Sequence, residues 1–303
     1  MRPILPLLLG LCAVTAHAQT PVVDATSLLN TRLYNDGSLL LEYVDVVFAP
    51  ESAAAASIRI EQANGTELAR YPLAGDYRMR DKAFGRLPVN GHARWQAPGS
   101  GDYRIVVNID GADVTRFPFS VALRTSSDPF DPNTTARFDG PWRGLGYLVK
   151  REYRDTQLVD LVAWVGAIDL LDGKRTDQSI ARLYRGGTQI GHSRESAGHI
   201  DGSTPYKQQT YAFFAPHEAR RAHEAPPIGI ADLTDGSYEI RIERSSDGKR
   251  LRSFPFSVKN GAIVPHPRGT LEHKPRDQML SPRVYRKGGN YEFHDVFWLT
   301  AGN

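Results

Sequence analysis

The sequence predicts an all-β protein made of two β-sandwich domains in tandem and a C-terminal hairpin tail, and three observations carry that prediction. Phe117-Pro118-Phe119-Ser120-Val121 recurs letter for letter as Phe254-Pro255-Phe256-Ser257-Val258. Each copy follows an alternating run, Gly101-Asp102-Tyr103-Arg104-Ile105-Val106-Val107 in one case and Gly236-Ser237-Tyr238-Glu239-Ile240-Arg241-Ile242 in the other. Asp36-Gly37, Asn64-Gly65 and Asp110-Gly111 punctuate the first part of the chain, and such dipeptides favour the tight turns of antiparallel hairpins.

The chain starts with Met1-Arg2, an apolar run from Pro3 to Thr15, and the small residues of Ala16-His17-Ala18. That order reads as a secretory signal peptide, residues 1–18, cleaved after Ala18. The apolar run is shorter than the ~20 residues a helix needs to cross a bilayer. Cys12 is the single cysteine and lies inside the leader, so the mature chain is expected to hold its core without disulfides. Leu11 stands before Cys12 where a lipid anchor needs a small residue. The 37 basic and 34 acidic residues leave a net charge of +3, and cleavage removes Arg2. Such balance argues against nucleic acid or an anionic membrane as partner. Arginine far outnumbers lysine, which favours a bacterial periplasm over other extracellular compartments.

Residues 19–123 form the first expected sandwich. Gln19 to Ser27 reads as a loose leader, whereas Leu28 to Tyr34 and Leu39 to Phe48 read as strands flanking Asn35-Asp36-Gly37. Ser57 to Glu61 alternates with period two and turns at Asn64-Gly65, while Ala74 to Gly91 reads as a loop. Arg94 to Pro98 is a short strand before the final hairpin. There Tyr103, Ile105 and Val107 share a face with Phe117, Phe119 and Val121, because strand side chains alternate sides. Pro118 cannot donate to a ladder, so that side of its strand should be unpaired.

Residues 124–137, with two Asp-Pro steps, read as a proline-stiffened linker. Residues 138–260 then repeat the order. Tyr153 to Val159 answers Tyr34 to Leu40, Ala181 to Ile190 answers Ile58 to Leu68, and Ala212 to Pro216 answers Arg94 to Pro98. The expectation is an internal duplication. Asp235-Gly236-Ser237-Tyr238 entering an alternating strand resembles the penultimate strand of immunoglobulin-like and fibronectin-like sandwiches. That resemblance implies a tyrosine hydroxyl bonded back to nearby backbone, and no activity.

Residues 261–303 form the C-terminal extension, in which Val284-Tyr285-Arg286 and Tyr291 to Leu299 bracket a Lys287 to Asn290 turn. This hairpin must bury its aromatics, by packing on the second unit or by adding a strand to a partner's sheet.

No catalytic motif stands out. There is no Gly-x-Ser-x-Gly and no mature cysteine, and His217-Glu218-Ala219-Arg220-Arg221 lacks the second histidine of a zinc-protease helix. The histidines gather in the second half, at His192, His199, His217, His223, His266, His273 and His294, with no ligand spacing. The expected role is therefore a secreted, non-enzymatic binding or scaffolding protein without cofactor or metal. Its partner would be another envelope protein or a cell-wall glycan. The expected contact surface comprises Trp142, Tyr147, His217, His223, Tyr285, Tyr291 and Trp298. Alternatives are a carbohydrate binder using exposed aromatics, with Trp142 the best placed, and a histidine-based metal-dependent hydrolase.

Overall fold

Alternating runs and turn dipeptides produce strands almost throughout. The computed structural model describes residues 21–47, 55–74, 78–81, 84–125, 134–153, 156–166, 176–194, 198–201, 205–216, 225–266, 283–287, 290–294 and 296–302. The protein is all-β, built from several antiparallel sheets.

The chain opens with β1 (Val22–Val23), the short helix α1 (Ala25–Leu29), β2 (Arg32–Leu33) and β3 (Ser38–Val47). The stretch expected to be a loose leader is ordered from Pro21 onward, and its first two residues lie outside the described ones. The Asp24 side chain accepts from the Thr26 N–H at 2.9 Å and from the Thr26 hydroxyl at 2.7 Å, capping α1. This cap makes Leu28 and Leu29 helical rather than extended, and both are buried. Next come β4 (Ala56–Gln62), β5 (Glu67–Pro72), β6 (Arg78–Asp81) and β7 (Phe84–Gln96). The expected loop from Ala74 to Gly91 therefore contains strand. Arg86 pairs with Asp45 across β3 and β7 through bonds of 2.6 and 2.7 Å, and its guanidinium lies over the Tyr43 ring. Leu87 and Val89 face the core on alternate positions, and the charge pair stands on the other face.

The hairpin of β8 (Gly101–Ile109) and β9 (Ala112–Thr125) turns at Asp110 and Gly111, both at positive φ, as a two-residue hairpin turn requires. In the first half, β1, β2, β3, β7 and β6 make one sheet, and β9, β8, β4 and β5 lie side by side in another. An added strand, β10 (Thr134–Asp139), pairs with β9 from Thr134↔Thr125 to Asp139↔Ser120. The end of the expected linker is thus part of the first half's sheet, held by the buried ring of Phe138. It stops at Asp139 opposite Ser120, which leaves β9 unpaired by β10 at Pro118.

The second half starts with α2 (Pro141–Gly144), β11 (Leu145–Tyr153) and β12 (Thr156–Gly166), followed by β13 (Thr176–Arg185), β14 (Thr188–His192), β15 (Gly198–Asp201) and β16 (Tyr206–Ala212). The hairpin of β17 (Gly236–Arg244) and β18 (Arg250–Lys259) follows, then β19 (Ala262–Ile263), β20 (Arg283–Lys287), β21 (Asn290–His294) and β22 (Val296–Thr300). One sheet runs β16-β12-β11-β22 and the other β14-β13-β17-β18-β19 with β15 beside β13. The repeated segments pair in the same register. Gly101↔Val121, Tyr103↔Phe119 and Ile105↔Phe117 in one half correspond to Gly236↔Val258, Tyr238↔Phe256 and Ile240↔Phe254 in the other. Both tyrosine hydroxyls reach back four residues, Tyr103 to the Gly99 carbonyl at 2.8 Å and Tyr238 to that of Thr234 at 2.6 Å.

The sheet containing β12 is buried on both faces. Val159, Leu161, Ala163 and Val165 point into the second half's core, while Val162 and Trp164 belong to the cluster that contains the first half's core. Burial on two sides explains why Leu158 to Gly166 is almost continuously apolar, since a half-solvated strand alternates. The tail is split. β20 and β21 form the expected hairpin as a separate two-stranded sheet, whereas β22 leaves it and joins β11.

Candidate functional site

Trp142, the best-placed aromatic for an exposed platform, lies instead at the centre of the molecule and is fully buried. Pro141 starts the single turn of α2, which points the indole back between the halves. Its Nε1 donates to the Leu29 carbonyl at 2.9 Å. Phe117 meets the indole edge-on with centroids 5.1 Å apart, Phe119 and Phe138 pack at 6.0 and 6.5 Å, and Tyr206 of the second half stacks at 6.3 Å. Gly140 and Pro141 announced a turn, but that turn carries the chain inward rather than leaving the ring outside.

Tyr147 and Trp298 are buried as well, their ring centroids 5.1 Å apart, with Trp164 at 6.1 Å from Tyr147. These rings weld the halves and offer nothing to a sugar, so the platform expected at Trp142 and Tyr147 is corrected to a shared core. His217 and His223 lie outside the described residues, and so do the side chains of Tyr285 and Tyr291, although β20 and β21 contain their backbone. Among the described residues no group of three His, Cys, Asp or Glu side chains converges as metal ligands would.

A concave feature of the described surface lies where the first half hands over to the second. It is an open groove of about 560 Å³ beside the exposed ring of Pro118, lined by Tyr103, Phe119, Pro141 and the polar residues Asp102, Arg104, Ser120 and Asp139. Strand register builds its polar row. Asp102 pairs with Ser120 and Ser120 with Asp139, so the three stand abreast on β8, β9 and β10. Neighbouring strands lie ~4.8 Å apart, which sets the Cα atoms of the two acidic residues about 10 Å apart across the serine. The next row holds Arg104 opposite Pro118. Pro118 lacks an N–H, and Gly140 crosses tightly here: a Cβ on it would sit 3.2 Å from the Pro118 carbonyl.

Arg104 is engaged within the protein, donating to the Gln62 and Ala63 carbonyls and lying 3.4 Å from Glu61. Asp139 accepts from the Gly140 N–H at 2.9 Å and lies 3.6 Å from Arg143. The groove thus presents acceptors, two carboxylates and a hydroxyl, beside Pro118 and Pro141, and suits a ligand that brings hydrogen-bond donors. Sequence reading missed it, although Asp102 and Ser120 occupy outward positions flanking the very residues used to align the repeats.

Elsewhere on the same sheet, charge is satisfied internally. Arg59 donates to Asp113 and Glu61, each at 3.0 Å, and Asn108 and Arg116 also reach Asp113. Burial pushes the Asp113 carboxyl up, but these donors and the Arg59 charge outweigh it and hold the group down at about 2. In the second half, Arg182 pairs with Glu243, and Arg241 pairs with Glu239 while lying over the Tyr184 ring.

No protein-family model matches this chain, and neither a curated protein nor a solved structure matches it.

Proposed function

We propose that the protein is a secreted, periplasmic binding or scaffolding protein without catalytic activity, made of two fibronectin-like sandwiches that arose by duplication. The duplication is supported by the identical pentapeptides in identical register and by the paired tyrosine hydroxyls, each bonded four residues back. It is supported too by sheet order: β9-β8-β4-β5 in one half answers β18-β17-β13-β14 in the other, and β2-β3-β7 answers β11-β12-β16. Secretion rests on the leader that ends at Ala18.

The observation that carries the binding role is the shared core around Trp142. It joins two sandwiches, which alone would behave as beads, into one body that holds the acceptor-lined groove at a fixed position. Fixed geometry is what a scaffold contributes to affinity, because less freedom is lost on binding. The partner is another envelope protein that offers donor groups to Asp102 and Asp139.

Capture from an envelope fraction tests this reading. The comparison sets the full-length protein against a variant with residues 283–294 replaced by a short Gly-Ser linker, and against Asp102→Asn/Asp139→Asn. A component retained by the native protein and lost from either variant supports it. Identical captures from all three count against it, and amino-terminal sequencing that finds Met1 instead of Gln19 removes the secretory premise.

A further inference from the structure

β22 reaches its sheet differently from its neighbours. β11, β12 and β16 fall within residues 145–212, whereas β22 arrives after the second half's last hairpin, beyond an intervening hairpin that belongs to another sheet. It nevertheless fits closely. Its register on β11 runs from Leu145↔Thr300 to Val149↔Val296, the Ala301 N–H donates to the Gly144 carbonyl at 2.8 Å, and the Gly302 N–H donates to that of Ser253 at 2.7 Å. The last bond carries the chain to β18, so the segment closes the seam between the second half's two sheets. Trp298 enters the shared core and Leu299 the second half's own core.

We propose that the edge of β11 is a strand-docking seat, filled in cis by β22 and able to accept β22 from a second copy of this chain. The seat makes specific demands: a large ring beside Tyr147 and an aliphatic residue one position on, which enters the second half's core. The chain's own C-terminal sequence meets both, with Trp298 and Leu299. Val296-Phe297-Trp298-Leu299 carries no charge and no proline, the usual guards against strand pairing between chains. Exchange keeps every bond and contact of the seat, so the connection alone decides which copy fills it. Residues 264–282 lie between β19 and the β20–β21 hairpin that precedes β22. About 20 residues can reach roughly 65 Å when extended with the hairpin kept closed, enough for a neighbouring molecule. In dilute solution the tethered strand wins through its high local concentration, and refolding in concentrated solution favours exchange.

The 144↔301 positions bond through their backbones, so the next pair, Leu145 and Thr300, is of the unbonded kind whose side chains stand closest. That pair supplies the test. Full-length Leu145→Cys and Thr300→Cys proteins, each also carrying Cys12→Ser, are mixed, unfolded, refolded together at high concentration and oxidised. Exchange gives disulfide heterodimers several-fold in excess of either homodimer, and the double variant, refolded in dilute solution, closes within one chain and stays monomeric. Heterodimers no more abundant than homodimers overturn the proposal. So does capture of a foreign envelope protein by the Leu145→Cys chain in preference to the Thr300→Cys chain. Should either variant fail to fold, native mass spectrometry of tagged and untagged wild-type chains replaces it. Mixed dimers after co-refolding, and not after mixing the folded proteins, agree with exchange; no mixed dimers in either case refutes it.

Discussion

Replacing Trp142 separates a welded molecule from two adjacent domains. The indole is fully buried among Phe117, Phe119, Phe138 and Tyr206, and its N–H satisfies the Leu29 carbonyl. Truncating a core tryptophan to alanine costs about 3–5 kcal/mol through lost burial and the cavity left behind. The missing hydrogen bond accounts for about 1 kcal/mol of that. Trp142→Phe keeps most of the ring contact and loses the N–H, so its cost should be about 1–2 kcal/mol. Urea titration followed by circular dichroism and fluorescence measures both. With a slope of about 3 kcal/mol per molar, Trp142→Ala should lower the midpoint by about 1–1.7 M, and Trp142→Phe by less than half of that. The alanine variant should also spread one transition into two as the halves uncouple. A shift below about 0.2 M, the range of ordinary surface substitutions, would refute the shared core.

Tyr103→Phe and Tyr238→Phe each remove one hydroxyl-to-carbonyl bond and should each cost about 1 kcal/mol in urea unfolding, with the double variant close to their sum because the sites share no partners. Gly191→Ala should destabilise more than either, since its Cβ would lie 2.3 Å from Ile228 Cδ1 and 2.7 Å from the Phe214 carbonyl; a thermal midpoint equal to wild type would show that this seam is loose. Asp113 is held at about 2, below its ordinary 3.8, so its contribution is present above pH 4 and lost as pH falls through 2. Asp113→Asn should therefore weaken the protein at neutral pH, on the order of 1 kcal/mol after solvent screening, and the gap from wild type should close towards pH 2. A gap that stays constant with pH would assign the loss to packing.

Much of the strand plan was legible because its signals are local. Turn dipeptides and period-two runs located β4, β5, β8, β9, β17 and β18, and the repeated pentapeptide identified Phe117, Phe119, Phe254 and Phe256 as core. The strand that replaced the loop between Ala74 and Gly91 was hidden, because Gly85, Pro88 and Gly91 interrupt the alternation of Leu87 and Val89, and Asp45, the partner of Arg86, lies 41 positions away. Asp24 as a helix cap was readable from Asp-x-Thr but lay in a segment with no apolar period to draw attention to it. Trp298 is buried against Tyr147, as the expected packing of the tail's aromatics on the second unit implies. Trp142 was misjudged because a tryptophan among turn residues looks exposed until another element covers it. Its ring is covered by Phe117, Phe119 and Phe138 of the first half, contacts that no local pattern encodes. The groove stayed hidden in the same way, since Asp139 meets Ser120 only after β10 returns to the sheet.

A distance between the halves tests the central claim most directly. Thr66 and Thr188 are exposed on corresponding hairpins of the two halves, and the sequence's single cysteine, Cys12, can be replaced by serine. Spin labels on Thr66→Cys/Thr188→Cys, measured by pulsed electron resonance, should give one narrow distance distribution that broadens when Trp142→Ala is added. A broad distribution in the otherwise native protein would mean that the halves move independently and that Trp142 does not join them.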